Sequence, residues 1–193
     1  MRNVAILIFD EVEVLDFCGP FEVFSVAGAP GDARYFNVYT VAERTTPVMA
    51  RNGLSVNPRY NITDCPTPDV LVVPGGYGVR REIENPVVMG WIAEQAARAE
   101  LTTSVCTGSW LLGRLGLLDG LHATTHWRSL DRLREIAPQA TVLEDVRFVD
   151  NGRIITSAGI SAGIDMALHV VARLHGTDVA SQTARYMEYD WRP

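Results

Sequence analysis

The stretch Thr102-Thr103-Ser104-Val105-Cys106-Thr107-Gly108-Ser109-Trp110-Leu111-Leu112-Gly113 joins a β-prone run to a helix-prone run, with a cysteine at the junction. A sharp strand-to-helix turn projects the junction side chain while its neighbours stay packed. A small residue two positions on, here Gly108, lets the backbone close, which is the logic of the Gly-x-Ser-x-Gly elbow transferred to cysteine. Beyond the turn, Leu111, Leu112, Leu115 and Leu118 recur at helical spacing and are expected to face a sheet. A thiol attacks as thiolate, and a place just ahead of a helix N-terminus is expected to lower its pKa. Free cysteines are more often inert core packing. The strand-end position, the glycine and the following helix together argue instead for Cys106 as a nucleophile.

Upstream, Asp69-Val70-Leu71-Val72-Val73 reads as a buried strand that runs into Pro74-Gly75-Gly76-Tyr77-Gly78. Glycines there permit conformations closed to other residues and let N–H groups face a ligand, so the loop is an oxyanion-site candidate beside the next strand's cysteine. No Walker Lys-[Ser/Thr] or complete Gly-x-Gly-x-x-Gly follows, which disfavours a nucleotide site. Asn85-Pro86 is an N-cap and first-turn proline for a crossover helix whose buried face would carry Val87, Val88, Trp91, Ile92 and Ala96. Further back, Val4 to Phe9 is a continuous apolar run, as expected of a central parallel strand covered on both faces. Pro20 reads as the first residue of a short helix, which puts Asp16 in a strand-to-helix loop. In an open α/β sheet such loops share the edge on which Cys106 would stand, making Asp16 a candidate partner; the plainer reading is a capping aspartate.

Tyr35 to Ala42 reads as a second strand, and the segments flanking Arg51-Asn52-Gly53 read as a hairpin. Downstream, Leu121 to Trp127 reads as a short strand whose His126 is either a general base for Cys106 or a hydrogen-bonded loop histidine. Ser129 to Ile136 follows as a helix, then strands near 141–143, 146–149 and 153–157. Ser157 to Asp165 is a second small-residue junction, whose Gly159 and Ile160 would wall the pocket. Helices are expected from there to His175 and from Thr177 to about Tyr189.

With 193 residues, 47% hydrophobic and 21% charged, the chain suits one core and a single domain over 1–193. A net charge of -6 without a long basic run argues against nucleic acid as a partner. Three cysteines with no CxxC fit a reducing, cytoplasmic setting, and the N-terminal apolar run is too short for a membrane span. The four histidines lack metal-ligand spacing, so no metal is expected.

Asp16-Phe17-Cys18-Gly19-Pro20, Pro74-Gly75-Gly76, Ser104-Val105-Cys106-Thr107-Gly108-Ser109, Thr124-Thr125-His126-Trp127 and Ser161-Ala162-Gly163-Ile164-Asp165 stand in the order of the PfpI/ThiJ superfamily, which is class I glutamine amidotransferase-like, and the chain resembles it across nearly its whole length. Within it the sequence looks most like the isonitrile hydratase branch, and Glu188-Tyr189-Asp190 is similar too. The resemblance implies a flavodoxin-like three-layer α/β sandwich with a mostly parallel sheet, a homodimer, a small-molecule substrate and a cofactor-free site at the elbow. It also implies that Asp16 hydrogen-bonds Cys106 and handles protons, and that backbone at Gly76 and Thr107 lies near the reacting group. Tyr77 and the Arg80-Arg81 pair depart from that branch. The same motifs resemble the sensor domains of AraC-type regulators. The expected function is therefore isonitrile hydration through a Cys106 thioimidate, with a non-catalytic sensor domain, or glyoxalase- or hydrolase-type chemistry on another small electrophile, as alternatives. Tyr77, His126 and Trp127 are expected at the pocket.

Overall fold

The apolar run near the N-terminus pairs on both sides, and this sets the architecture. The computed structural model describes residues 1–29, 31 and 33–192. Strand β1 (Arg2–Leu7) lies between β2 (Phe36–Ala42) and β6 (Val70–Val73), parallel to both, with Val4 paired to Val38 and to Val70. The side chains of Val4 to Ile8 and of all β6 are buried, so neither face of these strands could carry polar alternation. Between them in sequence, β3 (Val48–Met49) and β4 (Ser55–Val56) form the antiparallel hairpin, closed by a 3-10 turn in which Asn52 and Gly53 take φ of 59° and 86°. The edge strand β5 (Tyr60–Asn61) pairs with β2; its two residues carry no pattern by which the sequence could announce it.

The other half of the sheet is β7 (Leu101–Val105) beside β6, then β11 (Ile154–Ser157), then β10 (Phe148–Asp150). The order is β10-β11-β7-β6-β1-β2-β5, and only β10 runs antiparallel to its neighbour. A separate two-stranded pair joins β8 (His122–Ala123) to β9 (Thr141–Val142).

From β1 the chain crosses to β2 through α1 (Val14–Val26); from β6 it crosses to β7 through α2 (Val79–Glu82) and α3 (Pro86–Arg98). The two crossovers move in opposite directions along the sheet, so right-handed connections place α1 and α3 on opposite faces. Helices α6 (Ala162–His175) and α7 (Thr177–Tyr186) pack with α1, whereas α4 (Gly108–Arg114) packs with α2 and α5 (Leu130–Ile136). The result is a flavodoxin-like three-layer α/β sandwich. The reversal of direction falls between β1 and β6, and the crevice at their carboxyl ends is where such sheets bind ligands.

Three local expectations are corrected. Pro20 lies inside α1 rather than opening it, which moves Asp16 from a loop into the first turn. Proline costs a backbone hydrogen bond there. At this crossing a Cβ on Gly163 of α6 would stand 3.6 Å from the Pro20 ring, and one on Gly19 would stand 3.0 Å from Ile164, so helix–helix packing holds the turn. Val87 is exposed, whereas Val88, Trp91, Ile92 and Ala96 are buried as expected. Finally, α7 ends at Tyr186, short of Tyr189. Among the described residues no helix is long and apolar enough to cross a membrane.

Candidate active site

Register carries three loop starts to one place. Val73 pairs with Ser104, and Ser157 with Val105, so the loops after β6, β7 and β11 leave the same sheet edge. Cys106 follows β7 in the left-handed region, with φ of 55°. A non-glycine residue pays for that conformation, on the order of 1–3 kcal/mol, and keeps it only where its surroundings fix it. Here both ends of the residue are held. Its N–H is shared between the carbonyls of Ser157 and Ala158, each at 3.2 Å, and its carbonyl accepts Thr125 Oγ1 at 2.8 Å and Ser109 Oγ at 3.1 Å. Gly108 closes the turn as its position suggested, since a Cβ there would lie 2.0 Å from the Val73 carbonyl oxygen.

Asp16 meets this elbow from α1. It is fully buried; its Oδ2 accepts the Gly75 N–H at 3.1 Å and its Oδ1 accepts the Ile160 N–H at 3.2 Å. Its carboxyl stands near enough to the Cys106 thiol for each to shift the other's titration, and the backbone N–H and hydroxyl of Thr107 also act on that thiol. Burial pushes the Asp16 carboxyl up to about 7, against the Gly75 N–H, which pulls it down. Cys106 is 7% exposed. Burial, and then the neighbouring Asp16 charge, push its thiol upward from the ordinary range, against the Thr107 N–H. This corrects the expectation of a helix-lowered thiol: α4 has seven residues, and desolvation together with the carboxylate outweighs its first turn. Cys18 and Cys65, both half-buried, are also shifted upward by burial.

The glycine loop is a clamp. Its Gly75 N–H is spent on Asp16, and the Gly76 N–H meets Thr107 Oγ1 at 3.1 Å, so the Gly76 donor expected at an oxyanion is taken. Gly76 has φ of 125°, and a Cβ there would lie 2.4 Å from both Glu11 O and Glu13 N. The groups that favour the thiolate are the Thr107 N–H and, more weakly, its hydroxyl.

His126 lies at the site wall, where a Cβ on Gly159 would stand 2.2 Å from the ring. Its Nδ1 accepts the Arg128 N–H at 3.2 Å, which leaves Nε2 to carry the proton of the neutral ring. Burial and Arg128 lower its pKa. Trp127, 71% exposed, stacks on His126, and Tyr77, 59% exposed, stands after the glycine loop. Ile160 has φ of 60° and is the residue whose role sequence reasoning missed: it gives Asp16 its second N–H as well as walling the site. The small residues of Ser157 to Gly163 were the available signal, but not the direction of that N–H. Among the described residues no group of three or more His, Cys, Asp or Glu side chains is gathered as for a metal ion.

Fold and site together define an α/β protein of the cysteine-elbow type. The chain belongs to the DJ-1/PfpI family, whose model matches residues 2–173. It is 40% identical to isonitrile hydratase from Pseudomonas putida over 187 residues, covering 97% of this chain and 78% of that protein. It is 28% identical over 189 residues to the HTH-type transcriptional regulator GbdR of Pseudomonas aeruginosa, covering 98% of this chain and 51% of the regulator, so it spans about half that protein's length. Among solved structures, a ThiJ/PfpI family protein from Pseudomonas syringae superposes with a TM-score of 0.87 at 33% identity, covering 100% of this chain and 76% of that one.

Proposed function

We propose that this protein is a cysteine-dependent hydratase of the isonitrile hydratase type, needing no cofactor. The observation that carries the reading is the pairing of a strained, fully held Cys106 with a buried Asp16 whose carboxyl is pushed up to about 7. It is supported by the 40% identity to isonitrile hydratase.

Because Cys106 is the weaker acid of the pair, Asp16 acts first as a base. As sulfur bonds to the terminal carbon of the isonitrile, the thiol proton passes to Asp16 and from it to that carbon, giving a thioimidate on Cys106. Water then adds to the thioimidate carbon through Asp16. The carbon–sulfur bond breaks, the thiol regains its proton, and the nitrogen keeps one, releasing an N-substituted formamide. Thr107 N–H stabilises the sulfur whenever it carries charge.

Hydration of cyclohexyl isocyanide is expected in the wild type and not in Cys106→Ala. Equal rates in the two would overturn the proposal. The regulator relatives, matched along 98% of this chain, favour as a second reading a domain that binds a small molecule without turning it over. Ligand-induced thermal stabilisation without product would select that reading. Methylglyoxal, run alongside, separates glyoxalase-type chemistry by its product.

A further inference from the structure

An open groove of about 490 Å³ lies beside the candidate active site, lined in part by Arg80, Arg128, Arg132, Trp110, Ser129 and Glu84. It adjoins the elbow through Trp110, whose backbone N–H bonds the Thr107 carbonyl at 3.0 Å, and through Tyr77, which touches Arg80 and follows the Gly76 whose N–H bonds the Thr107 hydroxyl. Charge in the groove is unbalanced. Glu84 is paired with Arg114 at 3.2 Å and Arg132 with Glu135 at 2.6 Å, whereas Arg80 and Arg128 have no acidic partner among the described residues.

Both exposed guanidiniums rest against aromatic rings. Arg80 lies 4.3 Å from the Tyr77 ring centroid and 5.4 Å from that of Trp110, and Arg128 lies 5.1 Å from the Trp127 ring. A guanidinium resting on a ring keeps N–H donors for a planar acceptor. The Trp110 indole N–H is buried and has no partner, an omission that costs free energy unless an acceptor is bound. Two guanidiniums without acidic partners, on a groove that Trp110 also lines, suit a carboxylate. From these observations, and resting on the hydratase reading for the reacting end, we infer that the groove is a subsite for a carboxylate carried by the substrate. The preferred substrates are then isonitriles bearing a carboxylate away from the reacting carbon.

The test compares 4-isocyanobenzoate with its neutral analogue 4-isocyanobenzamide on the wild type, Arg80→Met, Arg128→Met and Arg80→Lys. The wild type is expected to favour the carboxylate, and Arg80→Met to raise its KM about 10-fold or more while leaving kcat and the amide unaffected, with Arg80→Lys recovering part of the loss. Equal KM for acid and amide in the wild type, or an unchanged KM for the acid in both methionine variants, would overturn the inference and leave the hydratase reading intact. If neither isonitrile is hydrated, the hydratase reading fails, and calorimetric binding of 4-isocyanobenzoate decides the subsite. About 10-fold weaker binding by Arg80→Met supports it; no binding, or equal affinity in wild type and variant, ends it.

Discussion

At the scale of single residues the account turns on Asp16. A carboxyl raised from 3.8 to about 7 on folding makes the native state hold its proton more tightly than the unfolded chain. Its ionisation therefore weakens folding as pH rises from about 4 to 7, by on the order of 4 kcal/mol in total once fully charged. Below both values the penalty is absent. Subtracting wild-type from Asp16→Ala stabilities, measured in urea, should give a difference that grows in the variant's favour between pH 5 and pH 8; a flat difference would contradict the shift. Activity should run the opposite way, with kcat/KM rising with pH through about 7 as the base becomes available. The Asp16 charge is also a cause of the raised Cys106 thiol, so Asp16→Ala should speed alkylation of Cys106 by iodoacetamide at pH 8 while abolishing turnover. Slower alkylation in the variant would mean that Asp16 activates the thiol in the resting state. The place of Cys106 at the sheet edge was legible from its strand end, and Asp16 was expected at that edge from a loop although it stands in the first turn of α1; the direction of the thiol's shift was not legible, because burial is a property of the packed fold.

Among elements, the turn between β11 and α6 supports the site from the side opposite the glycine loop. The Arg147 side chain donates to Asp165 at 2.7 Å and to Ser161 at 3.1 Å, its carbonyl accepts the Ala158 N–H at 2.9 Å, and Tyr189 OH closes on Asp165 at 3.0 Å. These bonds fix the turn whose Ile160 N–H holds Asp16. Arg147→Ala is expected to cost about 1 kcal/mol, as for a half-exposed ion pair, and to move the acid limb of the pH–rate profile upward, because that N–H lowers the Asp16 pKa. An unmoved limb would confine Arg147 to stability. The elbow has a sharper test. Gly108→Ala should lose about 1–3 kcal/mol or more against the Val73 carbonyl. Gly90→Ala, in α3 with nothing near the added methyl, should gain up to about 1 kcal/mol. Melting temperatures moving the same way would count against the elbow's geometry. Strands β1, β6 and β7, the Asn85 cap and the Asn52-Gly53 hairpin were legible because each carries its own local code. Pro20 within α1, the four-residue α2 and β5 were not, since contacts distant in sequence hold them.

For the whole molecule, topology explains why a lone cysteine, an aspartate and a glycine loop meet at all: the sheet reverses direction between β1 and β6, and three adjacent strand ends feed one crevice. The homodimer implied by the family resemblance is a prediction on this scale, checked by light scattering as a mass twice 21.2 kDa. Exposed Leu15 and Ile160, next to Asp16 in sequence and bonded to it respectively, would be covered if that dimer forms over the site. A monomer throughout the micromolar range would contradict it. The central claim is covalent catalysis at Cys106, and trapping tests it most directly. Wild-type protein mixed with excess cyclohexyl isocyanide, quenched with borohydride and digested should yield the Cys106 peptide heavier by one isonitrile plus the hydrogens of reduction, and Cys106→Ala should yield no adduct. Sustained formamide production with the Cys106 peptide unmodified at every time point, or an adduct mapped to Cys18 or Cys65 instead, would contradict the account.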